Sequence, residues 1–271
     1  MSTDYVLGND QEELARLKLQ HDLWKPDLLK LWSKSKIKEA RQILDLGCGP
    51  GFTSMDLMAY IQHDCQMTSV DISEGFLSYL QSQSLRLGPM QKITTYKSFI
   101  EKLELPTNNY DAAFCRWLMI FVQNPEKAIE KIHLHLKPQA QFILQEYVSY
   151  DSMDLVPDFK HMRPVVEAVF KSWKDQGGDP NRGKHLPFWL EKAGFEVLLI
   201  EPIAKFARPS EPLWAWPDSF FRSFLPRLEK NHYLNSKQIS DFFAEWEDSK
   251  SRPGAYFVAP TVMNIIAQKK A

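Results

Sequence analysis

The chain has 271 residues with 33 basic and 34 acidic side chains, which gives a formal net charge of −1 at pH 7. This length suffices for one or two domains with a substantial core. The charge balance argues against a general nucleic-acid binder, which usually carries a basic excess. The 3 cysteines lack C-x-x-C spacing, which excludes a disulfide framework and a cysteine zinc cage. We therefore predict neither a nucleic-acid partner nor a metal site.

The sequence shows no targeting signal. No apolar run approaches the ~20 residues that a membrane-spanning helix needs. The first ten residues contain two acids and no basic residue, unlike a secretory signal peptide. We predict a cytoplasmic protein that does not associate with membranes, and the sequence does not indicate its oligomeric state.

Residues 1–36 predict an N-terminal helical cap. From Leu14 to Trp24, apolar and aromatic residues recur every three or four positions, which is the spacing of one helical stripe. Pro26 suits the first turn of a second helix. The helix pair either packs against the body of the protein or closes over a ligand as a lid, and the sequence leaves both roles open.

Residues 37–149 alternate between apolar strands and amphipathic helices, which is typical of a parallel sheet with helices on both faces. Ser73 is typical of a helix cap, and Asn124 and Pro125 are typical of another helix start, as the capping residue and the first helical residue. The apolar runs predict strands at 42–46, 67–72, 93–96, 111–117 and 141–146.

The alternation changes after residue 149. Strands at 195–203 and 255–268 are expected to complete the core sheet, so 150–271 form the rest of the core. Between them, 150–190 and 204–254 predict an inserted helical substrate cap.

The strongest motif is a glycine-rich loop between a strand and a helix. Gly47, Gly49 and Gly51 permit a tight turn and the close approach of a ligand to the backbone. A dinucleotide-binding loop would place its third glycine at position 52, where this chain has Phe52. Asp45 would repel a pyrophosphate and suits a ligand that carries both a cationic amine and a carboxylate.

The stretch Ile43-Leu44-Asp45-Leu46-Gly47-Cys48-Gly49-Pro50-Gly51 resembles motif I of the class I S-adenosylmethionine (SAM)-dependent methyltransferases. The similarity covers residues 41–147, and features farther along the chain resemble the small-molecule branch. The resemblance implies an α/β fold, the Rossmann-like methyltransferase fold. This fold has a mostly parallel seven-stranded sheet with helices on both faces, here with a helical cap.

The resemblance also implies which residues hold the cofactor. Asp71 ends the second predicted strand and takes the role of the family's ribose-binding acid, although an acid there also suits a helix cap. Phe99 stands where the family often has an adenine-binding acid, so adenine is expected to contact apolar side chains and backbone there. We expect the backbone of Arg116, not its charge, to contact the cofactor. The predicted cofactor residues are Tyr5, Gln20, Asp45, Gly47, Cys48, Gly49, Gly51, Asp71, Ile72, Phe99, Ile100, Cys115, Arg116 and Trp117.

Methyl transfer needs a general base only when the acceptor atom still holds its proton at neutral pH. Glu146, at a strand end, is the best base by position, although an acid there often orients a loop instead. His161 and His185 are further candidates from the predicted cap, and each also suits a packing or surface role. The sequence does not settle whether a base is used.

The tryptophans are unevenly distributed. Residues 1–110 contain two of the 8, and residues 170–246 contain five. We expect an enclosed apolar acceptor pocket in the second half of the chain, although core packing of an inserted subdomain explains the excess equally well. The predicted acceptor-binding residues are Tyr147, Trp214, Trp216 and Phe220.

The leading hypothesis is a SAM-dependent methyltransferase that acts by in-line displacement on a small, partly apolar or aromatic acceptor and releases S-adenosylhomocysteine. The alternatives are an NAD-linked Rossmann oxidoreductase and a non-catalytic SAM-binding protein. The sequence identifies neither the acceptor nor the atom that is methylated.

Overall fold

The computed structural model describes residues 11–157 and 159–271. The α-helices are α1 (Gln11–Ser33), α2 (Phe52–Ile61), α3 (Glu74–Ser84), α4 (Pro125–His135), α5 (Met162–Asp175), α6 (Leu186–Lys192), α7 (Ala215–Lys230) and α8 (Ser236–Ser249). The strands are β1 (Gln42–Leu46), β2 (Cys65–Asp71), β3 (Gln91–Lys97), β4 (Tyr110–Arg116), β5 (Leu136–Ser149), β6 (Asp154–Val156), β7 (Phe195–Ile203), β8 (Phe206–Ala207), β9 (Tyr256–Val258) and β10 (Thr261–Lys269).

Seven strands form the main sheet in the order β3-β2-β1-β4-β5-β10-β7. β1 pairs in parallel with both β2 and β4, while β10 runs antiparallel to β5 and β7. The predicted Rossmann-like methyltransferase fold is therefore confirmed. Because the strand order reverses at β1, the loops that follow β1 and β4 diverge and leave a crevice at the carboxyl ends of these strands.

Local sequence signals place two of the helix starts as expected. The Ser73 side chain accepts a hydrogen bond from the backbone N–H of Phe76 (3.3 Å) at the start of α3. The Asn124 side chain accepts from the N–H of Lys127 (3.0 Å) at the start of α4. Both bonds satisfy N–H groups that the first turn of a helix leaves without a partner.

The N-terminal segment is one helix, and the predicted second helix that starts at Pro26 is wrong. Pro26 lies inside α1. A proline within a helix removes one backbone hydrogen bond and costs about 3 kcal/mol. The buried stripe of α1 nevertheless continues past it through Leu28, Leu31 and Trp32, all 0% exposed. Burial of these side chains offsets the cost and keeps the helix continuous.

The predicted strand over 255–268 is divided between two sheets. β10 lies in the main sheet, whereas β9 pairs with β6 and β8 in a separate three-stranded sheet that the sequence analysis missed. Pro260 lies between β9 and β10, and its ring nitrogen has no hydrogen to donate to a ladder. The strand breaks there, so 256–258 do not belong to the core sheet.

The Trp-rich half builds its own apolar core. Trp24 on α1, Trp173 on α5, Phe221 on α7 and Trp246 on α8 belong to one buried cluster, which also contains Tyr147 near the end of β5. The helices after β5 are thereby packed with α1 at the carboxyl edge of the main sheet.

We expect the substitution Trp246→Ala to lower the free energy of unfolding by about 3–5 kcal/mol, because it leaves a large cavity in this core. Trp246 is 0% exposed, and its Nε1 donates to the Asp218 carboxylate (2.8 Å). Urea unfolding measures the loss. In the control Leu134→Ala, which removes a side chain that is 63% exposed, the change should stay within about 0.5 kcal/mol. Equal losses of unfolding free energy in the two variants would contradict the assignment of Trp246 to this core.

Candidate active site

A cavity opens at the carboxyl ends of β1, β2 and β4, and we call it the glycine-loop cavity. Of the predicted cofactor residues, eight line it, whereas Gly51 does not. The lining residues are Leu17, Gln20, Asp45, Gly47, Cys48, Gly49, Pro50, Phe52, Thr53, Asp71, Phe114, Arg116, Trp117, Leu118 and Phe121.

Two glycines of the loop serve different purposes. At Gly49, with φ +53°, an added Cβ would meet no atom within 4 Å, so open space faces the backbone there. At Gly51, with φ +80°, an added Cβ would lie 2.2 Å from Leu80 Cδ1. Gly49 therefore leaves room for a ligand, and Gly51 instead allows α2 to pack closely against α3.

Asp71 joins the glycine loop to the end of β2. Its Oδ2 accepts from the N–H of Gly49 and its Oδ1 from the N–H of Ser73, both at 2.8 Å. Burial raises the pKa of Asp71, and these two N–H groups oppose the rise. An ionised carboxylate accepts about four hydrogen bonds, so Asp71 retains capacity for ligand hydroxyl groups in the cavity that it lines.

Asp45 places a second carboxylate in the same cavity. It is 2% exposed and accepts a hydrogen bond from the Ser54 hydroxyl on α2. Burial raises the pKa of Asp45 to about 6, while this hydrogen bond and the charge of Arg116 oppose the rise. Asp45 is therefore mostly ionised at pH 7 and suits a cationic ligand group.

Arg116 lines the glycine-loop cavity, and which part of it contacts a cofactor stays a prediction. Its Nη2 donates to His21 Nδ1 (3.0 Å), and the guanidinium carbon lies 4.6 Å from the centre of the Trp117 ring. Burial lowers the pKa of Arg116 to about 10, so it remains charged at neutral pH. In the sequence, His21 is one position of the helical stripe from Leu14 to Trp24, and no local pattern indicates its contact with Arg116.

Several predicted cofactor residues lie outside the cavity lining. Cys115 is fully buried on the other face of β4 from Phe114 and Arg116, as the alternation of a strand requires. Ile100 is 4% exposed and Phe99 is 41% exposed. Ile72 also lies outside the lining, and the adenine contacts expected at these residues stay a prediction. Tyr5 lies outside the described residues.

Glu146 holds a loop and does not face the cavity. It is 0% exposed, and its Oε1 accepts from the N–H groups of Leu118 and Met119, both at 2.8 Å, and from the Cys115 thiol at 3.4 Å. The side chain therefore points to the face of β5 away from Tyr147. Glu146 lies outside the lining of both cavities, and its contacts favour the alternative of a loop-orienting acid over a general base.

The two predicted catalytic histidines are not brought into the site. The backbone N–H of His161 donates to Glu245 (2.8 Å), and its side chain lies 39% exposed beside the same carboxylate. His185 is exposed, with its ring centre 5.4 Å from that of Trp189. Neither histidine lines the glycine-loop cavity or the neighbouring aromatic cavity that is described next.

A second cavity, which we call the aromatic cavity, lies directly beside the first. The predicted acceptor residues Tyr147, Trp216 and Phe220 line it. Both cavities share Leu17, Gln20, Trp117 and Phe121. The full lining is Arg16, Leu17, Gln20, Trp117, Ile120, Phe121, Tyr147, Tyr150, Met153, Trp173, Trp216, Pro217, Phe220, Phe221 and Phe257.

Trp117 forms the wall between the two cavities. Its backbone has φ +53°, and its N–H donates to the carbonyl of Gln145 (3.0 Å). The indole stacks on Tyr147, with ring centres 5.4 Å apart and 11° between the planes. On the α1 side, Gln20 Oε1 accepts from Trp216 Nε1 (3.1 Å) and ties the cap helices together.

Trp214 packs in the buried cluster, and the structure does not bring it to the cavity that the other predicted acceptor residues line. Its ring stacks on Trp246 at 4.3 Å between centres, and it lines neither cavity. Trp214 and Trp216 flank the first residue of α7, and the turn of that helix directs the two side chains differently.

Known proteins share this fold and motif. The family description "Methyltransferase domain" matches residues 43–139. The ubiquinone/menaquinone C-methyltransferase UbiE of Psychromonas ingrahamii is 22% identical over 163 residues, which are 58% of this chain and 65% of that protein. Protein BH2331 of Bacillus halodurans C-125 has TM-score 0.61 and 17% identity over 91% of this chain and 100% of its own. The [4+2]-cyclase SpnF has TM-score 0.53 and 17% identity over 85% of this chain and 75% of its own.

The two structural neighbours show the fold alone, and the match to UbiE spans just under two thirds of that protein. The fold, motif I and the crevice at the carboxyl ends of the strands are those of the Rossmann-like methyltransferase fold. Residues 43–139 match a methyltransferase domain, so the chain is similar to the class I SAM-dependent methyltransferases over this range. Its relatives include enzymes named for small-molecule methyl acceptors.

None of the helices at 11–157 and 159–271 is long and apolar enough to cross a membrane. The same residues contain no group of three or more His, Cys, Asp or Glu side chains that could hold a metal ion.

Glu146 makes the stability depend on pH. Burial raises the pKa of Glu146 to about 7 from an ordinary value of 4.5. The folded state therefore keeps a proton that the unfolded state releases, and the free energy of unfolding falls as the pH rises through this range.

We expect the stability difference between wild type and Glu146→Gln to shift by about 2 kcal/mol against the wild type from pH 5 to pH 8, since glutamine does not titrate. Urea unfolding of both proteins at the two pH values measures it. A pH dependence that is the same in both proteins would contradict the assignment.

Proposed function

We propose that this protein transfers the methyl group of SAM to a small, partly apolar or aromatic organic acceptor. The observation that carries the proposal is the adjacency of the two cavities, which share a wall formed by Trp117 and three neighbours. One cavity has the polar groups that SAM requires, and the other is lined mainly by aromatic side chains. A bound cofactor and a bound acceptor would meet at this wall.

The glycine-loop cavity fits SAM in shape and charge. Gly49 leaves open space beside the loop, and Asp71 can accept hydrogen bonds from ribose hydroxyls. The charged lining residues among those described are Asp45, Asp71 and Arg116, which sum to one negative charge. SAM carries one net positive charge, whereas S-adenosylhomocysteine is neutral overall. Electrostatic attraction therefore favours the substrate over the product.

The sulfonium of SAM supplies an activated methyl group, so the protein's task is alignment and the exclusion of water. The aromatic cavity suits both purposes, because Trp117, Trp216, Phe220 and Phe221 leave little polar surface for water. Tyr147 stacks on Trp117 and stiffens the wall.

The described lining of the aromatic cavity contains no Asp, Glu or His. Burial raises the pKa of both Tyr147 and Tyr150. Their hydroxyl groups therefore stay protonated at neutral pH and cannot accept the proton of an acceptor. We therefore infer that the acceptor arrives already nucleophilic, as an acidic phenol, an enol of similar acidity, a thiolate or a neutral amine does at pH 7.

The test is incubation of a cell extract with the enzyme and methyl-labelled SAM, followed by mass spectrometry for one new labelled metabolite. Appearance of such a product, absent without the enzyme, supports the proposal. Binding of SAM without any labelled product across extracts and a broad acceptor panel favours a non-catalytic or non-methylating role. The similarity to a [4+2]-cyclase makes that second outcome worth testing.

An NAD-linked oxidoreductase is the weaker alternative. The side chain of Phe52 lines the glycine-loop cavity at the position where a dinucleotide loop has its third glycine. A thermal shift with NADH and none with SAM would favour this alternative. A cytoplasmic location and the lack of a nucleic-acid partner stay predictions from the sequence.

We expect Asp71→Ala to weaken SAM binding about 100-fold, because each hydrogen bond to a charged group contributes about 1.5–3 kcal/mol. Isothermal titration calorimetry with SAM and S-adenosylhomocysteine measures the loss, and thermal melting checks that the variant folds. Asp64→Ala is a matched control, since Asp64 is exposed just before the opposite end of the same strand. Unchanged affinity in folded Asp71→Ala would reject the assignment.

The two neighbouring tryptophans should differ in their effects. Trp216→Ala removes an aromatic wall and should raise the acceptor KM about tenfold or more, with little change in the KM for SAM. Trp214→Ala should lower the melting temperature and leave the acceptor KM unchanged, because Trp214 packs only in the core. Steady-state kinetics on the labelled metabolite compares the acceptor KM of the two variants. A larger increase in Trp214→Ala than in Trp216→Ala would show that Trp216 is a core residue and not an acceptor-binding one.

A further inference from the structure

Arg116 is a partly buried cation, and the described part of the chain gives it no counter-ion. Among the described residues no carboxylate lies within ion-pair distance of its guanidinium group, and its Nη1 is buried without a hydrogen-bond partner. A buried charge is costly unless it is paired. One anion bound beside Arg116 would neutralise this charge.

The other charged residues of the glycine-loop cavity indicate which kind of ligand would supply that anion. Arg116 lines the glycine-loop cavity, whose other described charged residues are the carboxylates Asp45 and Asp71. Asp71 is held at the ribose end by the glycine loop, and Asp45 lies at the end of β1 beside β4. A ligand with an ammonium group and a carboxylate on one carbon atom matches the pair of opposite charges that Asp45 and Arg116 present.

A second layer fixes the guanidinium group in place. Because Arg116 Nη2 donates to His21 Nδ1, the His21 proton lies on Nε2, which donates to Asp56 Oδ2 (2.8 Å). Burial lowers the pKa of His21, which keeps the ring neutral and able to accept. Asp56 on α2 is itself held by Lys25 of α1 (2.7 Å).

We propose that Arg116 binds the carboxylate of the methionine part of SAM, and that His21 and Asp56 position its guanidinium group for this contact. The inference rests on the proposed function, since it concerns the same cavity. It also gives α1 a functional role: the helix packs on the core through Trp24 and Leu28 and contributes His21 to the cofactor site.

The test compares SAM with decarboxylated SAM, which lacks only the carboxylate. Isothermal titration calorimetry on the wild type should show SAM binding about 10- to 100-fold tighter, as expected for a charge-assisted bidentate contact. Arg116→Met should remove this preference, so that both ligands bind equally and about as weakly as decarboxylated SAM binds to the wild type.

The outcomes separate three possibilities. A wild type that binds neither ligand overturns the proposed function. A wild type that binds both ligands equally overturns the carboxylate contact alone. An Arg116→Met protein that loses affinity for both ligands by the same factor shows a structural role for Arg116 and overturns the inference as well.

The positioning role of His21 has its own readout. His21→Leu removes the acceptor for Arg116 Nη2 and should lower the preference for SAM over decarboxylated SAM at least threefold. His21→Asn, whose Oδ1 can accept in place of Nδ1, should recover most of it. Lys18→Ala is the matched control, because Lys18 lies on the same helix and pairs with the exposed Asp22. If His21→Leu keeps the full preference while folded, the positioning role is rejected.

Discussion

The site depends on buried carboxylates at the ends of strands, each of which binds backbone N–H groups of an adjacent loop. Asp71 at the end of β2 holds Gly49 and Ser73, and so fixes the glycine loop against the start of α3. Glu146 near the end of β5 holds Leu118 and Met119, and so fixes the loop that carries Trp117. Asp71 thus fixes the loop that borders the glycine-loop cavity, and Glu146 fixes the loop whose Trp117 borders the aromatic cavity. Burial of these acids is unfavourable in itself, and the N–H donors offset that cost.

The parts of the fold that the sequence predicted correctly are those encoded by neighbouring residues. Motif I, the caps at Ser73 and Asn124 and the strand runs of the core are local patterns, and the structure has them where expected. The break at Pro260 and the pairing of β9 with β6 and β8 depend on strands far apart in sequence. The tripeptide β6 is too short to show a periodic pattern, so the small sheet was not predictable.

Side-chain direction limited what could be predicted about the site. Glu146 and Tyr147 are consecutive on β5, and pairing geometry alone decides which of them faces the aromatic cavity. Trp214 and Trp216 are separated by one residue at the start of α7. The residue at which that helix begins therefore decides which of the two side chains faces the aromatic cavity. His21 contacts Arg116 across 95 positions of sequence, and no spacing rule connects α1 to the end of β4. These residues required the packed structure.

The wall that the two cavities share has a thermodynamic consequence. Because Trp117, Gln20 and their neighbours border both cavities, a ligand bound in one would change the surface that a ligand in the other meets. The two affinities are therefore linked, and by reciprocity each ligand alters the binding of the other by the same factor. The affinity of an acceptor for the free protein would therefore differ from its affinity for the complex with cofactor or its product. The second affinity is the one that applies during the reaction.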